Sequence, residues 1–165
     1  MLKIGDKKLI GAWAFYDWAN SVYSLVISTA VFPLFYSAIT EGKTVAFLGM
    51  KWDHADTLYS YALSFSFLVV AFMSPILSAI ADYTGNKLKF MKFFCWLGGL
   101  SVMSMYFFED LNTAWIGIVC TILASIGFWS SIVFYNSYLP EVAHPEQQDA
   151  ISAKGFIYGY RYRVE

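Results

Sequence analysis

Charge is what this sequence has least of. Only 14% of its 165 residues are Asp, Glu, Lys or Arg, against about 25% in soluble domains. The net charge is −1, so no polyelectrolyte field points to nucleic acid or to acidic substrates. Cysteine is scarce too. Cys95 and Cys120 each lie inside an apolar run, which reads as small hydrophobic packing and not as a disulfide or metal pair. Histidine occurs twice. His54 stands beside Asp53 and Asp56 in a short polar segment, a pattern expected of a solvated face, so no metal site is expected. His144 precedes Pro145 with no nucleophile at suitable spacing. CxxC, HExxH and nucleophile-elbow motifs are all missing. Gly42-Lys43-Thr44 imitates the end of a P-loop, but Ser37 stands where the first glycine is needed and no strand precedes it. An enzyme is not expected, nor is a cofactor.

What the chain has in excess is apolar surface. Hydrophobic residues make up 58% and aromatics 20%, with many aromatics near the ends of apolar runs, as in interfacial belts. Four segments are long enough to cross a hydrocarbon core, which needs about 20 helical residues. They run over residues 12–39, 58–81, 90–108 and 114–139. Their apolar runs are continuous and do not alternate, so helices are expected and barrel strands are not. The connections, among them 40–57, 82–89 and 109–113, read as short and polar. No internal repeat, low-complexity tract or soluble domain is visible. Lys7 and Lys8 before an apolar stretch imitate a signal peptide. However, the stretch from Leu9 to Ile39 is too long for one, Asp17 and Asn20 interrupt it, and no small-x-small cleavage site follows. The first segment is therefore read as a retained span.

Basic residues set the expected orientation. Lys3, Lys7, Lys8, Lys87, Lys89, Lys92, Lys154, Arg161 and Arg163 fall on one side, and only Lys43 and Lys51 on the other. Both termini are expected in the cytoplasm, in a multi-pass protein of the plasma (inner) membrane.

Polar residues inside spans are costly, so their placement is informative. Asp17, Asn20, Ser21, Ser24 and Ser28 recur at offsets 0, 3, 4, 7 and 11. That spacing puts them on one helical face, which should turn away from lipid. Asp17 reads either as a proton or ion carrier in a cavity wall or as a structural partner near the interface. The serines read equally as helix-packing residues. In the second span, Ser60, Ser64, Ala71, Ser74 and Ser78 form a ladder expected to serve close helix packing. Pro33 and Pro75 are expected to bend their helices or loosen a hydrogen bond. Trp129 and Tyr135 suit a cavity wall or a bundle anchor alike.

Asp82 closes the second apolar run ahead of Tyr83-Thr84-Gly85-Asn86-Lys87-Leu88-Lys89. A carboxylate there opposes the helix dipole and needs a compensating cation. Gly85 can take a left-handed turn at little cost, and Lys87 and Lys89 can meet lipid phosphates. In this position the chain resembles the major facilitator superfamily, whose signature has the form G-x-x-x-D-x-x-G-x-[RK]. Asp82, Gly85 and Lys87 match it, and Ser78 replaces the leading glycine. Gly11-Ala12-Trp13-Ala14-Phe15-Tyr16-Asp17-Trp18-Ala19-Asn20-Ser21 is similar to the opening of the autophagy-related vacuolar effluxer-like branch. Tyr135-Asn136-Ser137-Tyr138-Leu139-Pro140-Glu141 and Ile151-Ser152-Ala153-Lys154-Gly155-Phe156 resemble that branch after its fourth span.

The resemblance implies an all-α membrane protein whose four spans correspond to the first part of a twelve-helix fold, working by alternating access. It implies a secondary transporter moving a small solute, with amino acids as one candidate class. It also implies a gating role for the turn of Ser78, Asp82, Gly85 and Lys87. The expected partners are the lipid bilayer, an unidentified solute, and a missing C-terminal part or a second copy of the chain. Residues 1–160 are expected to form a partial N-terminal transporter domain. Residues 161–165, with Arg161 and Arg163 where a fifth apolar span is due, read as an atypical tail left by truncation or frameshift. The competing expectations are a stand-alone four-helix scaffold and a small oligomeric transporter with Asp17 as the coupling carboxylate.

Overall fold

The computed structural model describes residues 4–161, with side chains through Ala153. Helices dominate. Those long and apolar enough to cross a membrane are Lys7–Thr40, Ala55–Thr84, Lys87–Phe107 and Leu111–Ser137. The helices reach three to five residues past the first edges of the apolar runs, with Asp6 and Asp110 capping the first and the fourth. The fourth stops two residues short of the expected 139. Pro140 lacks an N–H and its ring would clash with the Asn136 carbonyl, so the chain breaks and restarts as a short helix.

The first span has three parts: α1 (Lys7–Val22), a π-helical segment (Tyr23–Val31) and α2 (Phe32–Thr40). Pro33 sits at the head of α2. It can donate no hydrogen bond to the turn before it, and wider winding of that turn accommodates the loss. The Thr29 hydroxyl donates to the Ser24 carbonyl five residues back, in keeping with the wider turn. The further elements are β1 (Val45–Phe47), β2 (Met50–Trp52), α3 (Ala55–Thr84), α4 (Lys87–Ser104), α5 (Ala114–Ser137), α6 (Leu139–Val142) and α7 (Pro145–Arg161). Pro75 lies inside α3, which continues through it.

The chain divides into two compact units. One comprises residues 4–29 and 135–161. Asp6 caps α1 by accepting from the Lys8 amide at 2.8 Å, and the Gly5 amide donates to the Val142 carbonyl at 2.9 Å. α1 packs on α7, and α6 supports both. Ala14, Tyr135, Val142, Ala143 and Ile151 are buried. The polar stretch after Pro140 is helical: Pro145 opens α7 and Glu146 favours its first turn. Of the expected tail, residues 162–165 lie outside the described residues, and so do the side chains from 154 on.

The other unit comprises residues 30–134. Near one end of it Phe32, Tyr36, Tyr59 and Phe108 form an aromatic cluster, with ring centroids 5.7–6.0 Å apart where Tyr36 meets Tyr59 and Phe32 meets Phe108. Phe90, Phe94 and Phe134 form a second stack, with centroids 5.6 and 5.9 Å apart. Between them α4 and α5 approach closely at Gly98 and Gly127. The face of α3 that packs is Leu58, Ala62, Ser66, Val70 and Ala81. The buried Ser66 hydroxyl donates to the Ala62 carbonyl at 2.8 Å and lies 3.5 Å from the Ile122 carbonyl.

That face corrects the expected ladder. Ser60, Ser64 and Ala71 are exposed, and Ser74 and Ser78 are half-buried. The Ser60 and Ser64 hydroxyls bond their own helix, at the Asp56 and Ser60 carbonyls, so they need no neighbouring helix. The polar connection over 40–57 also holds a hairpin. β1 and β2 pair antiparallel with Val45 opposite Trp52 and Phe47 opposite Met50. Leu48 and Gly49 turn between them with φ of 50° and 77°, the handedness that suits a two-residue hairpin turn. Thr44 donates to Asp53 at 3.0 Å across the open end.

The acidic turn 109–113 is a capping box. The Asp110 carboxylate accepts from the Thr113 amide and hydroxyl, both at 2.9 Å, while the Thr113 oxygen accepts from the Asp110 amide at 3.0 Å. These bonds from Thr113 hold the Asp110 carboxyl below its ordinary value of 3.8. A depressed folded value means that the turn is stabilised above pH 3.8, and that this help fades as pH falls through the folded value. An NMR titration of the Thr113 amide shift should therefore have its midpoint below 3.8. In Asp110→Asn that transition should vanish.

Candidate functional site

The polar face of the first span is built on α1 and the head of the π segment. Asp17, Asn20, Ser21, Ser24 and Ser28 are all half-buried, while Phe15, Val22, Leu25 and Val26 on the other sides are exposed. The Ser21 hydroxyl donates to the Trp18 carbonyl at 2.7 Å, and the Ser24 hydroxyl to the Ser21 carbonyl at 3.2 Å. Both keep an oxygen able to accept a further bond. Asp17 is the one carboxylate on this face.

Tyr135 was not placed with this face by spacing, since 122 positions separate it from Trp13. The two rings stack with centroids 4.3 Å apart, and the Trp13 Nε1–H donates to the Tyr135 carbonyl at 3.3 Å. Tyr16 lies against the same ring at 5.2 Å. Tyr135 is thus an anchor of its unit. Its hydroxyl is buried and has no hydrogen-bond partner among the described residues. A buried phenol able to give and take a bond suits a polar guest. Trp129 stands elsewhere, against Phe67 and Phe128.

In the turn after α3, Gly85 has φ of 64° and caps the helix by donating its N–H to the Ala81 carbonyl. Most residues pay steric strain in that conformation, and glycine does not. The turn brings Lys87 Nζ to 2.8 Å from Asp82 Oδ1. This pair supplies the cation that a carboxylate at a helix C-terminus needs. Asp82 is 61% exposed and Lys87 19%, so the pair is a positioned surface contact of small stabilising worth. Ser78 lies one turn before Asp82 and is half-buried. Among the described residues no group of three or more His, Cys, Asp and Glu side chains is placed to hold a metal ion.

The chain is similar to known proteins over most of its length. The family described as "Vacuole effluxer Atg22 like" matches residues 5–155. An uncharacterised MFS-type transporter, YxiO of Bacillus subtilis, is 37% identical over 155 residues, covering 90% of this chain and 33% of that protein. Autophagy-related protein 22 of Coccidioides immitis is 25% identical over 172 residues, covering 82% of this chain and 28% of its own length. The chain thus spans about a third of the relatives that it matches. No solved structure matches it. With its match over 5–155 and four apolar helices fit to span a bilayer, the chain belongs to the Atg22-like vacuole effluxer family of membrane transporters.

Proposed function

We propose that this chain supplies the leading spans of an alternating-access carrier that moves a small solute across the plasma membrane, with both termini in the cytoplasm. The observation that carries the reading is the first span's polar face. Asp17, Asn20, Ser21, Ser24 and Ser28 are all sheltered while apolar neighbours are exposed, the inverse of what a helix lying alone in lipid would tolerate. In this reading Asp17 carries the coupling charge. The asparagine and serines offer hydrogen bonds to the solute. The π segment and Pro33 loosen the span where it must flex. The turn of Ser78, Asp82, Gly85 and Lys87 acts as the gate contact that forms and breaks as the carrier rocks.

Rocking opposes two halves, and four spans supply only part of one twelve-span carrier. Further spans, from a longer chain or from other copies of this one, complete the path. Amino acids are the first solute class to test. Vesicles bearing the protein together with the spans that complete it, loaded with a mixture of labelled amino acids, should lose label faster than empty vesicles and faster under an imposed proton gradient. Loss at the rate of empty vesicles, for amino acids and for a panel of other small solutes, would contradict the reading.

A further inference from the structure

A cavity of about 670 Å³ opens beside α3 and α4, a volume within the range of about 300–1,000 Å³ typical of small-molecule sites. Its wall is apolar: Met73 and Leu77 come from α3, Phe93 and Leu97 from α4, and Ile126 from α5. Thr84, Asn86 and Lys89 gather at the turn end. From Met73 to Thr84 the helix rises about 16 Å at 1.5 Å per residue. The cavity is therefore long, greasy along its length and polar at one end.

The polar end is also electropositive. Asp82 is engaged by Lys87, and no carboxylate lines the cavity. Among the described residues, the exposed Lys89 ammonium has no carboxylate within ion-pair distance. α4 begins here, with no side-chain cap and no acidic residue in its own first turn, an arrangement that adds the positive end of its dipole to this region. The Asn86 side-chain amide is already used by the Thr84 carbonyl at 3.1 Å. The Lys89 and Phe90 amides donate to the Asn86 carbonyl at 2.9 and 3.3 Å, so the Lys89 ammonium is the group at this end that can meet an anion.

We propose that this cavity is a binding site for an anionic phospholipid. One acyl chain lies along Met73, Leu77, Phe93 and Leu97, and the phosphate is held by Lys89 at the head of α4. An apolar protein helix would fill the wall but leave the cationic end without a counter-charge. A zwitterionic headgroup would bring its own ammonium to that end.

Native mass spectrometry of the detergent-purified chain tests this, with phosphatidylglycerol and phosphatidylcholine of the same acyl composition at equal concentration. Phosphatidylglycerol should be retained about fivefold better, the worth of one lysine near an anionic lipid. Lys89→Gln should bring the two lipids close to parity. Lys92→Gln, at an exposed position that does not line the cavity, should leave the preference unchanged. Leu97→Trp, which fills the apolar length, should lower retention of both lipids. Equal retention of the two lipids by the native chain, or an unchanged preference in Lys89→Gln, would overturn the proposal. So would a photo-crosslinker at Phe93 that yields a covalent dimer and no lipid adduct in native membranes.

Discussion

Replacing Gly127 by alanine should destabilise the chain by about 2–3 kcal/mol, the upper part of the range for overpacked sites. A Cβ at Gly127 would lie 2.5 Å from the Gly98 nitrogen, 2.7 Å from the Phe94 carbonyl oxygen and 2.8 Å from the Gly98 Cα. All three are backbone atoms of α4, so no side chain can rotate away and the helices themselves must part. Parting them loosens the stack of Phe94 on Phe134 close by. In a bilayer the contact between helices rests on van der Waals packing more than on expulsion of water, so lost proximity is a large share of what holds α4 to α5. The contrast with its neighbours is sharp. A Cβ at Gly98 would meet nothing closer than 3.5 Å, and one at Gly99 nothing within 4 Å. Gly99→Ala should even stabilise slightly, because alanine is the better helix former by up to about 1 kcal/mol. Thermal melts of the three variants in the same detergent micelle check the order. Equal melting points for Gly127→Ala and Gly98→Ala would refute the close crossing.

Asp17→Asn should reduce solute flux to the level of empty vesicles while leaving the melting point nearly unchanged. Asparagine keeps the shape and the hydrogen-bonding reach of the side chain but cannot release or take up a proton. The residue is half-buried and stands in the membrane span, where an ionisable group is expensive and is retained for a task. A purely structural Asp17 predicts the reverse pattern: a lower melting point, with flux falling only in proportion to the folded protein left. Measuring both quantities on one preparation separates the two roles.

The spans were legible because continuous apolar runs of this length have few other destinations, and because the turn of Asp82, Gly85 and Lys87 carries its chemistry in its spacing. The rest was hidden for specific reasons. Hairpins announce themselves by Asn-Gly or Asp-Gly. Here Leu48, 80% exposed, occupies the first left-handed position and masks the turn. The π segment lies in a nearly uniform apolar run, where a change of helical period leaves no trace in the pattern. The small-residue ladder of the second span misled, because a serine can satisfy its hydroxyl on its own helix. The packing face of α3, led by Ala62 and Ser66, lies two residues out of phase with it. Gly98 and Gly99 are equivalent in sequence, and only the crossing partner Gly127 tells them apart. Of the candidate site, the polar face followed from periodicity. Tyr135 did not join it on paper, because no local pattern links residues 122 positions apart.

The central claim is that the first span's polar face borders an aqueous path. Single cysteines at Ser21, Ser24, Ser28, Leu25 and Val26, in a background lacking Cys95 and Cys120, test it in intact membranes with a charged thiol reagent. The account predicts labelling at Ser21, Ser24 and Ser28, slowed by transported solute, and none at Leu25 and Val26. Equal labelling at all five positions, or labelling confined to Leu25 and Val26, would contradict it.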